Sequence, residues 1–214
     1  MLQQRTLPNG IRLVHQFADS PVAHVGLFIR TGSRDETPAE HGLAHFIEHV
    51  IFKGTEKRNV YRILNRLENV GAYLDAFTTK EETCISATFL NEYYDRTVEL
   101  FSDIFFHSIF PDAELEKEKM VVSDEIHSYL DSPAEQIFDD FEDLLFAGHP
   151  LGRNILGTKK SLKRFDRIMI LDFINRNYNL ENVVVASVGK IPFQRLVRMV
   201  EKYFSNDQQA RTPL

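Results

Sequence analysis

The segment His45-Phe46-Ile47-Glu48-His49 constrains the fold of this 214-residue chain more than any other part of it. On an α-helix, where successive residues turn by about 100°, the side chains of His45, Glu48 and His49 share roughly a quarter of the circumference. The opposite arc is apolar and consists of Leu43, Phe46, Ile47, Val50 and Ile51. We therefore expect a buried helix whose polar stripe faces an interior cleft rather than bulk water.

The polar stripe of this helix is suited to binding a metal ion. Two imidazoles one helical turn apart can bind the same ion, whereas buried imidazoles and a buried carboxylate without partners are energetically unfavourable. A zinc ion and its bound water would supply those partners, with bonds to nitrogen of about 2.0 to 2.1 Å. A short motif also arises by chance, and paired helical histidines can be satisfied core residues. The metal site is therefore a hypothesis that needs support elsewhere in the sequence.

A second helix, predicted from Pro111 to Leu130, has carboxylates on its inward stripe. The residues of that stripe recur every three or four positions, at Leu115, Glu118, Val122, Glu125 and Tyr129. An ionised carboxylate is tolerated inside a protein only with a counter-charge or a metal ion. We expect Glu125 to be the third metal ligand and Glu118 to hold a ligand imidazole in place. The alternative is that both are surface glutamates on a helix whose inner face lies elsewhere.

These residues resemble the signature of the pitrilysin/insulinase type of zinc metallopeptidases, the inverzincins, which include the mitochondrial processing peptidases. In that family an inverted HxxEH motif supplies two histidine ligands and the catalytic glutamate, and a glutamate roughly 70 to 80 residues later completes the metal site. Here Glu125 follows His49 by 76 residues. Further segments that resemble the family extend the match from about Leu7 to Phe204: Thr31 to Glu36, Phe52 to Thr55, Ala76 to Thr78 and Gly148 to Thr158.

The resemblance implies a zinc-dependent hydrolytic site with a role for each residue. His45, His49 and Glu125 would be the zinc ligands. Glu48 would be the catalytic base that takes a proton from the attacking water. Glu118 would orient a ligand imidazole.

The resemblance also implies where a peptide substrate binds. The peptide would lie in extended form along an exposed sheet edge at Leu74 to Thr78, with Asp75, Ala76 and Phe77 nearest the metal. For Phe77 a plain position in the core is an open alternative. Family members commonly have asparagine where this chain has Asp75, and histidine where it has Glu82. Both differences add negative charge near the expected substrate path, so side-chain preference cannot be transferred from the family.

The architecture of the family implies that a chain of this size is part of a larger enzyme. Relatives resemble clamshells of two or more homologous halves, of which the first carries the zinc. We therefore expect a zinc metalloendopeptidase half that needs a homologous C-terminal half or partner subunit and is weakly active or inactive alone. Pairing with a second copy is left open. The complete HxxEH set favours a catalytic half over a non-catalytic structural or regulatory half and over a zinc-binding interaction module without turnover.

Composition limits the partners and the compartment that we expect. A formal net charge of −6 argues against nucleic acid or an anionic membrane as the main partner, and 43% hydrophobic residues suffice for one core. Cys84 is the only cysteine, so no internal disulfide can form and no oxidising compartment is needed. Because no membrane-spanning run or signal-peptide pattern is present, we expect a cytoplasmic location, with a periplasmic or organellar one left open.

The order of predicted elements indicates an α+β fold in which helices cover a mostly antiparallel, mixed sheet. Strands are predicted at 3–7, 11–15, 22–31, 71–78, 83–90 and 182–188. The last strand has four consecutive apolar residues and is expected to be buried on both faces. A capping box at Thr37 to Glu40 is expected to start the motif helix. Further helices are predicted at 60–70, 91–107, 111–130, 133–146, 160–175 and 192–204. Residues 1–205 would form one zinc-binding domain, and 206–214 would be a linker-like tail that favours a domain cut from a longer protein.

Overall fold

One open sheet of six strands organises residues 1–205, the part of the chain that the computed structural model describes. In chain order the strands are β1 (Leu2–Thr6), β2 (Arg12–Phe17), β3 (Val22–Ile29), β4 (Tyr73–Thr78), β5 (Thr83–Leu90) and β6 (Val183–Gly189). Their spatial order is β1-β2-β6-β3-β5-β4. Strands β2 and β6 run parallel, and every other neighbouring pair is antiparallel. The predicted mixed, mostly antiparallel sheet is confirmed.

Helices and short 3-10 turns connect these strands. Within the described residues the helices are α1 (Leu43–Val50), α2 (Val60–Glu68), α3 (Tyr94–His107), α4 (Asp112–Leu130), α5 (Pro133–Leu145), α6 (Lys159–Leu162), α7 (Arg167–Asn177) and α8 (Phe193–Tyr203). The predicted α+β order is confirmed. None of these helices is both long enough and apolar enough to cross a bilayer. The predicted tail at 206–214 lies outside the described residues, and the single domain at 1–205 stays a prediction.

Burial alternates along the strands, so the two faces of the sheet differ. In β2, Leu13 and His15 are buried, whereas Val14 between them is partly accessible. Strand β6 alternates in the same way, with Val183 and Val185 buried and Val188 exposed. The expectation that β6 is buried on both faces is therefore wrong. Its apolar run is compatible with a largely antiparallel sheet that has only one fully covered face.

The single helix predicted at 160–175 is also wrong, because α6 and α7 are separate helices. Between them Phe165 turns into the core, where its ring centroid lies 5.5 Å from that of Phe46 on α1. Asp166 then accepts a hydrogen bond of 2.8 Å from the backbone amide of Met169 and starts α7 as its N-cap. The apolar spacing continues through this break, so periodicity alone did not reveal it.

The motif helix α1 does not begin at the predicted capping box. Residues Thr37 to Glu40 form a 3-10 turn in which the last carboxylate accepts a hydrogen bond of 2.8 Å from the first amide. Helix α1 starts after Gly42, whose φ of 91° is left-handed. Its first amides are capped by Glu36, which accepts hydrogen bonds from Gly42 N at 2.9 Å and from Ala44 N at 2.8 Å. A buried carboxylate upstream therefore fixes the start of the helix that carries the motif.

Candidate metal centre

Helices α1 and α4 bring three potential metal ligands to one point. His45 and His49 project from α1 and Glu125 from α4, and one ligand atom of each lies within 4.8 Å of the other two. Glu125 Oε2 is 3.6 Å from His45 Nε2 and 3.3 Å from His49 Nε2. The two imidazole rings meet edge to face, with their centroids 4.7 Å apart. The arrangement leaves a small space that both nitrogens and the carboxylate oxygen face.

The two distances from Glu125 Oε2 to the histidine nitrogens fit a zinc ion. Zinc bonds of about 2.0 to 2.2 Å to nitrogen and oxygen, arranged tetrahedrally, place neighbouring ligand atoms roughly 3.3 to 3.6 Å apart. Two imidazoles and one carboxylate are also a donor set found in catalytic zinc sites, where the fourth position stays open for water or substrate. The residues present therefore fit the metal that the resemblance implies.

Burial of the site favours neutral imidazole at His45. Its side chain is 9% exposed. Burial, with a smaller contribution from the neighbouring His49, lowers the pKa of His45 to about 4. A neutral ring has a free lone pair on one nitrogen and can bind a metal ion, whereas a protonated ring cannot.

Glu48, the predicted base, lies beside the metal-ligand cluster at the edge of an open cleft. It is half-buried. Burial raises the pKa of Glu48, and the effects of the Thr78 hydroxyl and of His49 oppose this change. A carboxylate with a raised pKa accepts a proton more readily than an ordinary surface carboxylate, which suits a general base.

Glu118 contacts His49 on the side of the ring that faces away from Glu125. Glu118 Oε2 lies 3.3 Å from His49 Nδ1, and Glu118 Oε1 lies 2.6 Å from Lys53 Nζ. Glu118 thus contacts a candidate ligand imidazole, as its predicted orienting role requires. The role of Lys53 was not predicted. His45 differs, because its Nδ1 is buried and has no hydrogen-bond partner among residues 1–205.

Glu125 is less buried than predicted, since its side chain is 44% exposed. On α4 the neighbouring Ile126 takes the buried position instead. The predicted inward stripe is therefore correct over its first part, at Leu115, Glu118 and Val122, and wrong over its last part, at Glu125 and Tyr129. The reason is that the second half of α4 borders the cleft, so its polar side chains face open space rather than the core.

The cleft beside the cluster has a volume of about 640 Å³, and β4 contributes to its wall. Strand β4 is an edge strand of the sheet. Phe77 lines the cleft and is 40% exposed, so the alternative of a plain core position is wrong. Asp75 is exposed on the same strand, whereas Ala76 packs against the core. Neither Asp75 nor Ala76 is among the residues that line the cleft, so their part in substrate binding stays a prediction.

The far wall of the cleft comes from α5 and was not predicted. Glu135 and Asp139 line it together with Tyr129 from α4. The Tyr129 hydroxyl lies 2.6 Å from Asp139 Oδ2 and 3.0 Å from the Glu135 carbonyl, which joins the two helices. None of the residues of α5 is buried, and its apolar side chains Ile137, Phe138, Phe141, Leu144 and Leu145 face outward. Pro133, which is well tolerated in a first helical turn, predicted the start of this helix but not which of its sides would face the cleft.

The chain matches two family models. Residues 13–159 match the model described as "Insulinase (Peptidase family M16)", and residues 164–210 match the model described as "Peptidase M16 inactive domain". The first match contains the HxxEH motif and Glu125.

Similar proteins include peptidases from bacteria and from mitochondria. An uncharacterized zinc protease of Bacillus subtilis is 35% identical over 96% of this chain and 50% of its own length. The beta subunit of the mitochondrial-processing peptidase of Saccharomyces cerevisiae is 34% identical over 97% of this chain and 45% of its own length. The crystal structure of a protease from Helicobacter pylori superimposes with a TM-score of 0.91 at 24% identity, over 96% of this chain and 50% of the other, and shows the fold alone. The chain thus spans about half the length of the relatives it matches.

Proposed function

The chain belongs to the insulinase family of peptidases, family M16, and we propose that it is the zinc-binding domain of an endopeptidase that hydrolyses peptides bound in extended form. The observation that carries the proposal is the convergence of His45, His49 and Glu125 within 4.8 Å of one another, with Glu48 at the same cleft. The resemblance to mitochondrial processing peptidases agrees with a relative of that name.

A non-catalytic half is the alternative, and the fold alone does not exclude it. The second family model is that of an inactive domain, so membership of the family is compatible with loss of activity. Glu48, together with the three ligands, argues for catalysis. A purely structural half has no need of a half-buried carboxylate with a raised pKa beside two imidazoles.

The chemistry divides between the metal and the residues of the chain. A zinc ion, when bound, would polarise the substrate carbonyl and lower the pKa of a water molecule. Glu48 takes the proton of the attacking water and returns it to the leaving amine. Glu118 holds His49 through Nδ1, which keeps Nε2 directed at the metal position. Of these residues, Glu48 lines the cleft, where a peptide can reach it.

Peptide binding along β4 follows from its position at the edge of the sheet. An edge strand has unpaired backbone groups that an extended peptide can satisfy, and such pairing carries little sequence information. Side-chain preference would come from the walls of the cleft, where Phe77 offers an apolar surface and Glu135 and Asp139 carry negative charge. We propose that peptides with a positively charged residue beside an apolar one are preferred.

A second homologous domain is part of the proposal. Relatives are about twice as long as the segment they share with this chain, so activity of the whole protein rests on more than residues 1–205. The open cleft beside β4 is accessible to solvent on one side. A domain that closes this side would exclude water and position the peptide, and we expect little cleavage without it.

The test measures zinc content and cleavage of a random library of quenched fluorescent peptides. The chain is assayed alone and with the part of the Bacillus subtilis relative that lies beyond the matched half. We expect one zinc per chain and cleavage only with the added domain, and we expect Glu48→Gln to keep zinc and lose cleavage. Glu116→Gln, at an exposed carboxylate of α4, is the matched control.

Three outcomes separate the candidate functions, and a fourth tests the role of Glu48. Zinc with cleavage that Glu48→Gln removes supports the peptidase. Zinc binding without cleavage in any combination points to an interaction module. Absence of both indicates a structural half, and cleavage that survives Glu48→Gln removes this residue from the role of base.

A further inference from the structure

Lys53 lies one helical turn beyond His49 and reaches back to the metal cluster through Glu118. Its ammonium nitrogen is 2.6 Å from Glu118 Oε1, and the other oxygen of the same carboxylate is 3.3 Å from His49 Nδ1. These three side chains form a line that runs from the end of α1 across to α4 and back to the candidate metal position. No role for Lys53 follows from the HxxEH motif.

The surroundings of Glu118 explain why it needs this lysine. Its side chain is 12% exposed, and that of Lys53 is 24% exposed, so solvent screens the pair only in part. A carboxylate at this degree of burial is unfavourable without a counter-charge. In residues 1–205, Lys53 is the only lysine or arginine within 4.0 Å of Glu118.

The backbone around Lys53 is fixed on both sides. Its amide donates a hydrogen bond of 3.1 Å to the Val50 carbonyl, which continues the end of α1. Two residues later Thr55 pairs with Ser108 in an isolated bridge, and its hydroxyl donates to Asp103 at 2.9 Å. The backbone of Lys53 is therefore held in place without a metal ion, and its side chain extends from this fixed point to Glu118.

The two ligand histidines differ in how they are oriented. His49 has a carboxylate at Nδ1, whereas Nδ1 of His45 is buried and lacks a hydrogen-bond partner among residues 1–205. A ring whose Nδ1 donates a hydrogen bond presents the lone pair of Nε2, which is the nitrogen that faces Glu125. Among the described residues, only the His49 ring is thus oriented by a side-chain contact at Nδ1, and this orientation depends on the position of one carboxylate.

We propose that Lys53 is a positioning residue for the metal site, which holds Glu118 against His49 Nδ1 and so directs Nε2 of His49 toward the zinc position. The inference rests on the proposed zinc site. It goes beyond that site by assigning a function to a residue that contacts neither metal nor substrate. Without the lysine, the Glu118 carboxylate is drawn toward solvent and the orientation of the His49 ring is lost.

The sign of the effect separates positioning from simple electrostatics. A positive charge near a zinc ion repels it, so loss of the lysine charge would by itself strengthen zinc binding. Positioning predicts the opposite, because loss of a group that orients a ligand weakens metal binding by about 10-fold to 100-fold. A weaker affinity in a lysine variant therefore cannot be attributed to the charge alone.

The experiment measures zinc affinity of the chain by competition with a chromophoric chelator, in the absence of peptide. We expect Lys53→Met to bind zinc about tenfold more weakly and Lys53→Arg to stay within about threefold of the unaltered chain. Lys119→Met is the matched control, since Lys119 lies beside Glu118 on α4 but pairs with Glu116 instead. This control is expected to leave zinc affinity unchanged.

Coupling between the two residues gives a second readout. We expect Glu118→Gln to weaken zinc binding at least as much as Lys53→Met, and the double variant to be no weaker than Glu118→Gln within about twofold. Cobalt(II) absorption spectra of the same proteins should change in Lys53→Met and not in Lys119→Met, since they report the geometry of the ligands. Circular dichroism of the metal-free proteins measures any unfolded fraction, for which the zinc affinities are corrected. Lys53→Gln serves as a second variant without the lysine charge.

The outcomes distinguish the lysine from the metal site itself. If the unaltered chain binds no zinc, the proposed function fails and the role of Lys53 fails with it. If the unaltered chain binds zinc and Lys53→Met binds it equally or more tightly, only the positioning role is overturned. Additive losses in the double variant would also overturn it, because they would show that Lys53 does not act through Glu118.

Discussion

The start of α1 depends on one buried carboxylate, and its removal should destabilise the helix that carries both histidines. Glu36 is 4% exposed and accepts hydrogen bonds from the amides of Gly42 at 2.9 Å and Ala44 at 2.8 Å. Each buried amide left without an acceptor costs about 1 to 3 kcal/mol. Glu36→Ala, which leaves both without one, should therefore lower the free energy of unfolding by about 2 to 6 kcal/mol. That is a large part of the roughly 5 to 15 kcal/mol typical of a domain.

Glu36→Gln tests which property of the side chain matters. Both oxygens of the ionised carboxylate accept, whereas the amide of glutamine has one accepting oxygen and a nitrogen that cannot accept. Above the raised pKa of Glu36 we therefore expect about half the loss of Glu36→Ala. The assay is urea unfolding followed by circular dichroism, with the midpoint compared at constant slope. Glu116→Ala is the control, because its side chain is 72% exposed and its change should stay within about 0.5 kcal/mol. If Glu36→Ala unfolds at the same midpoint as this control, the capping argument is refuted.

Three further predictions follow from the same structure. Burial, against the opposing effect of the two amides, raises the pKa of Glu36 from 4.5 to about 8. The folded state therefore holds a proton that the unfolded state loses between these values, and stability should fall by about 3 to 4 kcal/mol from about pH 5 to pH 8. Urea unfolding at both pH values measures this fall in stability, and Glu36→Gln should make the stability less dependent on pH. Arg58→Met leaves Asp103 fully buried without its cation, so we expect a loss of about 3 to 5 kcal/mol in urea unfolding, and a loss below about 1 kcal/mol would contradict the pairing. Zinc at about 100 times its dissociation constant should stabilise the chain by about 2.7 kcal/mol in thermal unfolding, and His45→Ala should remove that gain.

Features that depend on a few neighbouring residues could be predicted from the sequence. The helix predicted at 60–70 starts at Val60 as expected, where Asn59 caps α2 by accepting a hydrogen bond of 3.0 Å from the Arg62 amide. The short connection between β1 and β2 also agrees with the strands predicted at 3–7 and 11–15. These features are decided within about one helical turn or one hairpin, where residue preferences act directly.

Features that depend on how separate elements meet could not be predicted. Lys53 and Glu118 are far apart in sequence, and no periodicity indicates which of the 25 lysines and arginines would reach that carboxylate. Glu36 was missed because its partners lie beyond an intervening 3-10 turn. Glu125 was expected to be buried because the stripe on α4 was taken to face the core along its whole length, whereas its second half borders a cleft.

A zinc anomalous difference map from crystals of the chain grown with zinc tests the central claim most directly. We predict one strong peak per chain, about 2.0 to 2.2 Å from Nε2 of His45, Nε2 of His49 and a carboxylate oxygen of Glu125. A map with no peak at this point, or with zinc bound elsewhere while Glu125 is turned into solvent, would contradict it.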